Sequence, residues 1–546
     1  MTQADQVHDS GPTGDGEEHR PPPCPPLQPK QGTYTPVPSY TNHRQSTSGG
    51  SWPATMAPPP LFPLPPLLIL LVIVPLFPTA ARTATTLPLY RHLPHVAEAV
   101  ASHHHPLSRL AAASLARALH LKRRDPNHHS QKGSGGHPSV PATAALYPHS
   151  YGGYAFTASL GTPPQPLPVL LDTGSHLTWV PCTSSYECRN CSSPSASAVP
   201  VFHPKNSSSS RLVGCRNPSC QWVHSAANLA TKCRRAPCSP GAANCPAAAS
   251  NVCPPYAVVY GSGSTAGLLI ADTLRAPGRA VPGFVLGCSL VSVHQPPSGL
   301  AGFGRGAPSV PAQLGLPKFS YCLLSRRFDD NAAVSGSLVL GGTGGGEGMQ
   351  YVPLVKSAAG DKLPYGVYYY LALRGVTVGG KAVRLPARAF AGNAAGSGGT
   401  IVDSGTTFTY LDPTVFQPVA DAVVAAVGGR YKRSKDAEDE LGLHPCFALP
   451  QGARSMALPE LSFHFEGGAV MQLPVENYFV VAGRGAVEAI CLAVVTDFSG
   501  GSGAGNEGSG PAIILGSFQQ QNYLVEYDLE KERLGFRRQS CTSSPS

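Results

Sequence analysis

Read for the spacing of its apolar side chains, the chain changes texture three times. Residues 1–55 are Pro, Ser, Gly and charged side chains without an apolar period and are expected to be disordered. An unbroken run, L-L-I-L-L-V-I-V from Leu67 to Val74, follows, too short to span a bilayer. The stretch P-L-S-R-L-A-A-A-S-L-A-R-A-L-H-L-K-R-R-D then has a helical period. It places Leu107, Leu110, Ala111, Leu115, Ala118 and Leu119 on one face and closes on Lys122, Arg123 and Arg124, charges that suit a helix C-terminus. From Tyr151 onward the period shortens to two. Y-A-F-T-A-S-L-G-T-P-P-Q reads as a strand and hairpin turn. Short strands with Gly-rich turns continue to the end, among them S-G-S-L-V-L-G-G, Y-Y-Y-L-A-L-R-G-V-T-V-G-G and L-S-F-H-F-E-G-G. One clear helix interrupts them, residues 413–427.

At 546 residues the chain exceeds one compact core, so two lobes are expected. With 59 Gly and 57 Pro, turns outnumber long helices. The formal net charge of +9 is scattered and lacks interleaved aromatic and basic positions, which argues against a nucleic-acid partner. The apolar run at Leu67 is followed by P-L-F-P-T-A-A, where small Thr79 and Ala81 suit signal cleavage after Ala81. Met56 is the expected true start, with residues 1–55 outside the native product. A type II anchor is the alternative, disfavoured by Pro75 and Pro78. The expected organisation is a signal peptide at 56–81, a propeptide with an amphipathic helix at 82–146, an N-terminal lobe at 147–345 and a C-terminal lobe at 346–546. No apolar tail follows Cys541, so no stable membrane anchor is expected.

Nine of the fifteen cysteines crowd residues 182–253, and Cys24 stands apart from the rest. Cys188 and Cys191 have the C-x-x-C spacing of a zinc site. The even count without Cys24, no matching histidine pair and a secretory signal favour disulfides instead. The histidine runs at 103–105 and 128–129 read as polar segments, so neither a metal nor another cofactor is expected. Asn190 and Asn206 head N-C-S and N-S-S, acceptor sequences for glycans. G-F-G-R-G at 302–306 lacks the Lys-Ser/Thr of a phosphate loop, and no Gly-x-Ser-x-Gly elbow is present.

The strongest chemical signal is a repeat. V-L-L-D-T-G-S-H-L-T-W-V at 169–180 and G-T-I-V-D-S-G-T-T-F-T-Y at 399–410 share one form: two apolar residues, Asp, a small hydroxyl residue, Gly and a second hydroxyl. A lone buried carboxylate is costly, so Asp172 and Asp403 are expected to pair. Gly174 and Gly405 allow the sharp turn, Ser175 and Thr406 can donate to the carboxylates, and Thr173 and Ser404 can tie the turns together. Two facing carboxyls cannot both ionise easily. One then acts as base toward a water while its protonated partner polarises a peptide carbonyl, without metal or covalent intermediate.

These turns, with the flap-like V-V-Y-G-S-G-S at 258–264, S-G-L-A-G-F-G-R-G and A-I-I-L-G-S-F-Q-Q-Q-N, resemble the pepsin-type aspartic proteases, in particular the plant nepenthesin-like branch. The resemblance runs from about Tyr151 to Cys541. It implies a mostly β, bilobal fold with the active-site cleft between two β-rich lobes. It implies Asp172 and Asp403 as catalytic residues, Tyr260 and Gly261 in a flap over the substrate, and Trp179 hydrogen-bonded to Tyr260. Cys322 is implied to pair with Cys541 and Cys446 with Cys491, the pairings from Cys182 to Cys288 remaining open. His176, where relatives often carry a polar or acidic residue, is expected to be a surface histidine. The function implied is a monomeric endopeptidase active at acidic pH on polypeptide substrates, sensitive to pepstatin-type inhibitors and opened by removal of the helix around Leu107 to Lys122. The site expected is extracellular, in the cell wall space, with the vacuole as alternative. The rival is a catalytically silent binding protein on the same fold, like the xylanase inhibitor proteins. Those typically lose part of the Asp constellation, which is intact here.

Overall fold

The computed structural model describes residues 84–88, 106–122, 142–148 and 152–541, apart from 192–198, 234–251, 261–262, 277–278, 297, 326–334, 343–344, 361–364, 454, 485–486 and 499–509. The expected signal peptide, both histidine runs, Cys24, Cys238, Cys245 and Gly261 lie outside these residues.

Two β-rich lobes repeat one construction. In the first, strand Gln165–Asp172 pairs antiparallel with Tyr154–Leu160 and parallel with Gly299–Gly302, so that Gly302 lies opposite Asp172. In the second, Thr400–Val402 pairs antiparallel with Tyr369–Leu371 and parallel with Ile513–Leu515. The strand after each acidic turn returns beside the same partner: Trp179 opposes Leu300, and Tyr410 opposes Ile514. Strands buried on both faces read as continuous apolar runs, which is why V-L-L and T-I-V precede the acids. Both Gly302 and Gly516 are required by close packing. A side chain at Gly302 would run into the His176 backbone, and one at Gly516 into Thr407 and Phe408.

A six-stranded antiparallel sheet joins the lobes, in the order 142–148, 336–340, 318–322, 523–528, 533–538 and 350–355. Its first strand, Ala142–Pro148, straddles the expected propeptide boundary at residue 146 and pairs with both Gly336–Leu340 and Tyr154–Leu160. Phe319 stacks on Tyr527 at 4.4 Å in the core beneath this sheet. The helix expected at 413–427 is Pro413–Val427, capped by Asp412, with Val415, Phe416, Val419, Ala420, Val423 and Val427 buried at helical spacing.

Six disulfides are present among the described residues: Cys182–Cys288, Cys188–Cys191, Cys215–Cys233, Cys220–Cys253, Cys322–Cys541 and Cys446–Cys491. The last two are the pairs that the resemblance implied, and the C-x-x-C motif is a disulfide. Two segments from ahead of the lobes pack on them. Ala84–Pro88 adds an antiparallel strand to Ser455–Pro459. Helix Pro106–Leu121 buries Leu107, Leu110, Ala111, Ala118 and Leu121 in the apolar cluster of the second lobe, with Tyr368, Phe408 and Tyr410.

Candidate active site

Each acidic turn folds on its own carboxylate. The Gly174 amide donates to Asp172 Oδ1 at 3.0 Å and Ser175 Oγ to Oδ2 at 2.6 Å. The Gly405 amide donates to Asp403 Oδ1 at 2.9 Å and Thr406 Oγ1 to Oδ2 at 2.6 Å. The turns then grip one another. Thr173 N–H donates to Ser404 Oγ at 3.1 Å, Ser404 N–H to Thr173 Oγ1 at 2.9 Å, and Ser404 Oγ to the Leu171 carbonyl at 2.9 Å. Apart from half-buried Ser175 and Gly405 the groups of this lattice are buried, so most of these hydrogen bonds satisfy donors that water cannot reach. The glycines face the opposite carboxylate. A Cβ at Gly174 would lie 2.7 Å from Asp403 Oδ1, and one at Gly405 would strike Asp172 Oδ1. The two acids are therefore brought together as the repeat implied.

Burial raises the Asp172 pKa above its ordinary value. Arg117 opposes that shift and Asp403 reinforces it.

Above the turns, strand Tyr256–Val259 and strand Ser264–Ala276 form a hairpin whose tip carries Tyr260. Trp179 Nε1 donates to Tyr260 Oη at 2.9 Å, the contact the resemblance implied. Burial holds the Tyr260 phenol far above its ordinary pKa, so it is neutral. A cavity of about 140 Å³ lies under the hairpin, lined by Asp172, Tyr260, Leu300, Gly405 and Thr407, and closed by Ser114 and Arg117.

The resemblance implied that this helix covers the cleft, but the residues that close it were not read from the sequence. The buried stripe of helix Pro106–Leu121 runs Leu107, Leu110, Ala111, Ser114, Arg117, Ala118, Leu121. Leu115 and Leu119, expected on this face, are only half-buried, and Ser114 and Arg117 are buried instead. The cause is polar complementarity: the cleft floor offers two carboxylates and an unpaired amide, which leucines cannot satisfy. Ser114 Oγ accepts from Phe408 N–H at 2.9 Å. Arg117 Nη2 donates to Asp172 Oδ1 at 2.5 Å and its Nε to Asp403 Oδ2 at 3.3 Å. Burial acts to lower the Arg117 pKa, but the two carboxylates outweigh it, so the guanidinium stays charged.

Lys122 differs from expectation as well. Its charge does not serve the helix end, whose last carbonyls accept from tyrosines: Tyr368 Oη donates to Leu121 O at 3.1 Å and Tyr365 Oη to Lys122 O at 3.2 Å. Lys122 Nζ instead donates to Tyr410 Oη at 2.8 Å and Asp412 Oδ2 at 3.0 Å. One signal in the sequence pointed to Arg117: it is the strong charge that falls within the i, i+3, i+4 series of the apolar stripe.

The remaining expected sites are placed as follows. Asn190 and Asn206 are exposed. His176 is half-buried rather than on the surface, its ring beside Gly306, because Gly302 packs against its backbone. Among the described residues no three His, Cys, Asp or Glu side chains converge as a metal site.

Comparison with known proteins places this geometry. The family model described as xylanase inhibitor N-terminal matches residues 154–342, and that described as xylanase inhibitor C-terminal matches residues 368–538. A probable aspartyl protease of Arabidopsis thaliana is 32% identical over 71% of this chain and 82% of its own. The aspartic proteinase nepenthesin-1 of Nepenthes gracilis is 31% identical over 72% of this chain and 79% of its own. Among solved structures, edgp superposes with a TM-score of 0.53 at 20% identity, over 74% of this chain and 96% of its own. The basic 7S globulin from soybean gives 0.52 at 20% identity, over 74% and 98%. At that identity the two structures establish the shared fold.

Proposed function

The chain belongs to the pepsin-like aspartic proteases, in their nepenthesin-like plant branch, and from that premise we propose that it is the latent precursor of an endopeptidase that cleaves polypeptides at acidic pH. The observation that carries this reading is the intact pair of turns, each carboxylate oxygen supplied with its donor and each glycine clear of the opposite acid. Two carboxyls so placed share one proton at acidic pH. The ionised member takes a proton from a water that attacks the scissile carbonyl, and the protonated member donates to that carbonyl. Tyr260, held by Trp179, closes the hairpin over the substrate.

Latency follows from Arg117. Its guanidinium fills the space between the acids that a water and a peptide carbonyl require. Removal of the helix opens the cleft and returns the dyad to its shared proton. The disulfides fit folding in an oxidising compartment. Together with the signal-like run at Leu67 and exposed Asn190 and Asn206 as glycan acceptors, they support a product of the secretory pathway, outside the cell or in the vacuole.

A second reading, a binding protein without turnover, draws on the descriptions of the two matching family models. Digestion of denatured haemoglobin at acidic pH by the processed chain, with and without pepstatin, separates the two. Pepstatin-sensitive cleavage that is lost in a folded Asp172→Asn variant is expected. Cleavage by that variant at the wild-type rate removes Asp172 from the chemistry, and no cleavage by the wild type leaves the binding protein.

A further inference from the structure

The six residues from Arg117 to Lys122 carry the chain from the dyad to a second, separately built pocket. Its walls all belong to the second lobe. Asp412 Oδ2 takes the Lys122 ammonium at 3.0 Å, and Tyr410 Oη accepts from it at 2.8 Å. The Nζ also lies 4.8 Å from the centre of the Tyr410 ring. Arg388 Nη2 reaches the same Asp412 oxygen at 3.3 Å, and a second acid, Asp497, acts electrostatically on Tyr410. Gly510 completes the wall: a side chain there would run into the backbone and stem of Lys122. Tyr365 and Tyr368 bind the neighbouring main-chain carbonyls rather than side chains, a mode any peptide can satisfy.

Asp412 divides its carboxylate between Arg388 and the Lys122 ammonium, and Lys122 lies only 8% exposed in that contact. A helix advances 1.5 Å per residue, so Lys122 sits about 7.5 Å along the helix axis from Arg117. An extended peptide covers that distance in about two residues.

Resting on the peptidase reading above, we propose that this pocket is a substrate subsite for a Lys or Arg side chain, two or three residues from the scissile bond, and that Lys122 occupies it in the precursor as a stand-in for substrate. Once the helix is gone, a basic side chain of the peptide regains the ion pair with Asp412 and the contact with the Tyr410 ring, while tyrosines 365 and 368 hold its backbone. An acidic side chain at that position meets the like charge of Asp412, and an aliphatic one leaves Asp412 with Arg388 alone.

The test uses the full-length precursor, acid-treated until mass spectrometry shows loss of the N-terminal segment. It is offered a peptide series in which Lys, Arg, Leu and Glu are scanned over every position on both sides of one cleavable bond. The readout is the ratio of kcat/KM for Lys against Leu within each protein, so that a general loss of activity cancels. Wild type is expected to favour Lys and Arg by about tenfold at one position, the range of one charge-assisted hydrogen bond, with Glu poorest. The ratio should fall severalfold in Asp497→Asn and in Asp412→Asn, the latter keeping a helix-capping side chain. Cleavage by the wild type without a basic preference overturns the subsite, as does a ratio unchanged in both variants. No cleavage of any peptide by the processed wild type overturns the peptidase reading itself and takes the subsite with it.

Discussion

Arg117 donates through Nη2 to Asp172 at 2.5 Å, across 55 residues of sequence, and through Nε of the same guanidinium it also reaches Asp403. One side chain from a segment ahead of the lobes thereby bridges an acid from each. Its removal leaves two buried carboxylates facing one another without a cation. Breaking a buried pair from one side costs about 3–5 kcal/mol. Arg117→Met is therefore expected to undock the helix near neutral pH while the lobes remain folded. Limited proteolysis should cut the helix segment rapidly in the variant and slowly in wild type, and equal rates would show that the guanidinium does not hold the helix.

Gly405 is a second test of the dyad, independent of the helix. An added methyl would strike the Asp172 carboxylate and push the acids apart, while the turn's own backbone bonds remain. A displacement on the scale of 1 Å costs about a hundredfold in rate. Gly405→Ala is expected to keep its fold, seen as an unchanged cooperative unfolding transition, and to lose at least that much kcat on a standard peptide after processing. Full activity would mean that the two acids need not approach so closely.

The dyad was legible in the sequence because it is written twice, and each copy follows from local rules: an apolar strand, a hydroxyl beside the acid, and a glycine where no Cβ fits. The pairings Cys322–Cys541 and Cys446–Cys491 came from resemblance, since loop-closing partners leave no trace in local pattern. The helix was legible as an element, and as a stopper through the resemblance, but not in the residues that do the stopping. Ranking residues by apolarity put Leu115 and Leu119 on the buried face. The cleft instead selects Ser114 and Arg117, because its floor is charged, and no window of neighbours contains that information. Lys122 misled for the same reason. A cation at a helix end has a ready local explanation, while its partner Asp412 lies 290 residues away.

The Cys322–Cys541 bridge closes a loop of 219 residues between the shared sheet and the chain's end. A cross-link of that span removes enough unfolded-state freedom to stabilise by about 5 kcal/mol in the chain-entropy model. The paired Cys322→Ser, Cys541→Ser variant should lower the urea midpoint accordingly with little change of slope. By the same relation, loss of the three-residue Cys188–Cys191 bridge should cost far less. Equal losses from both would rule out loop closure as the cause.

The pH at which the helix lets go follows from the opposite shifts of two acids. At Asp412 burial acts to raise the pKa, but the charge and hydrogen bond of Lys122, with Arg388 and Thr414, outweigh it, so the carboxyl is held below its ordinary 3.8. A carboxylate lowered on docking contributes stability that is complete above the free value and lost as pH falls through the depressed one. Asp172 behaves inversely: burial, helped by Asp403 and opposed by Arg117, raises it. Release of the helix removes the opposing Arg117 charge and leaves Asp403 in place, so a proton taken up by the dyad as pH falls favours the open form. Helix release on acidification should therefore draw on both ends of the helix, the dyad at Arg117 and Asp412 at Lys122, the latter below the ordinary aspartate value. Brief hydrogen-exchange pulses across acidic pH, read on the amides of 106–121 before processing begins, measure the transition. In Lys122→Met the cation that depresses Asp412 is gone, and protection of the helix should vanish at higher pH than in wild type. An unchanged midpoint in Lys122→Met would exclude the Lys122–Asp412 pair as the acid-sensitive latch.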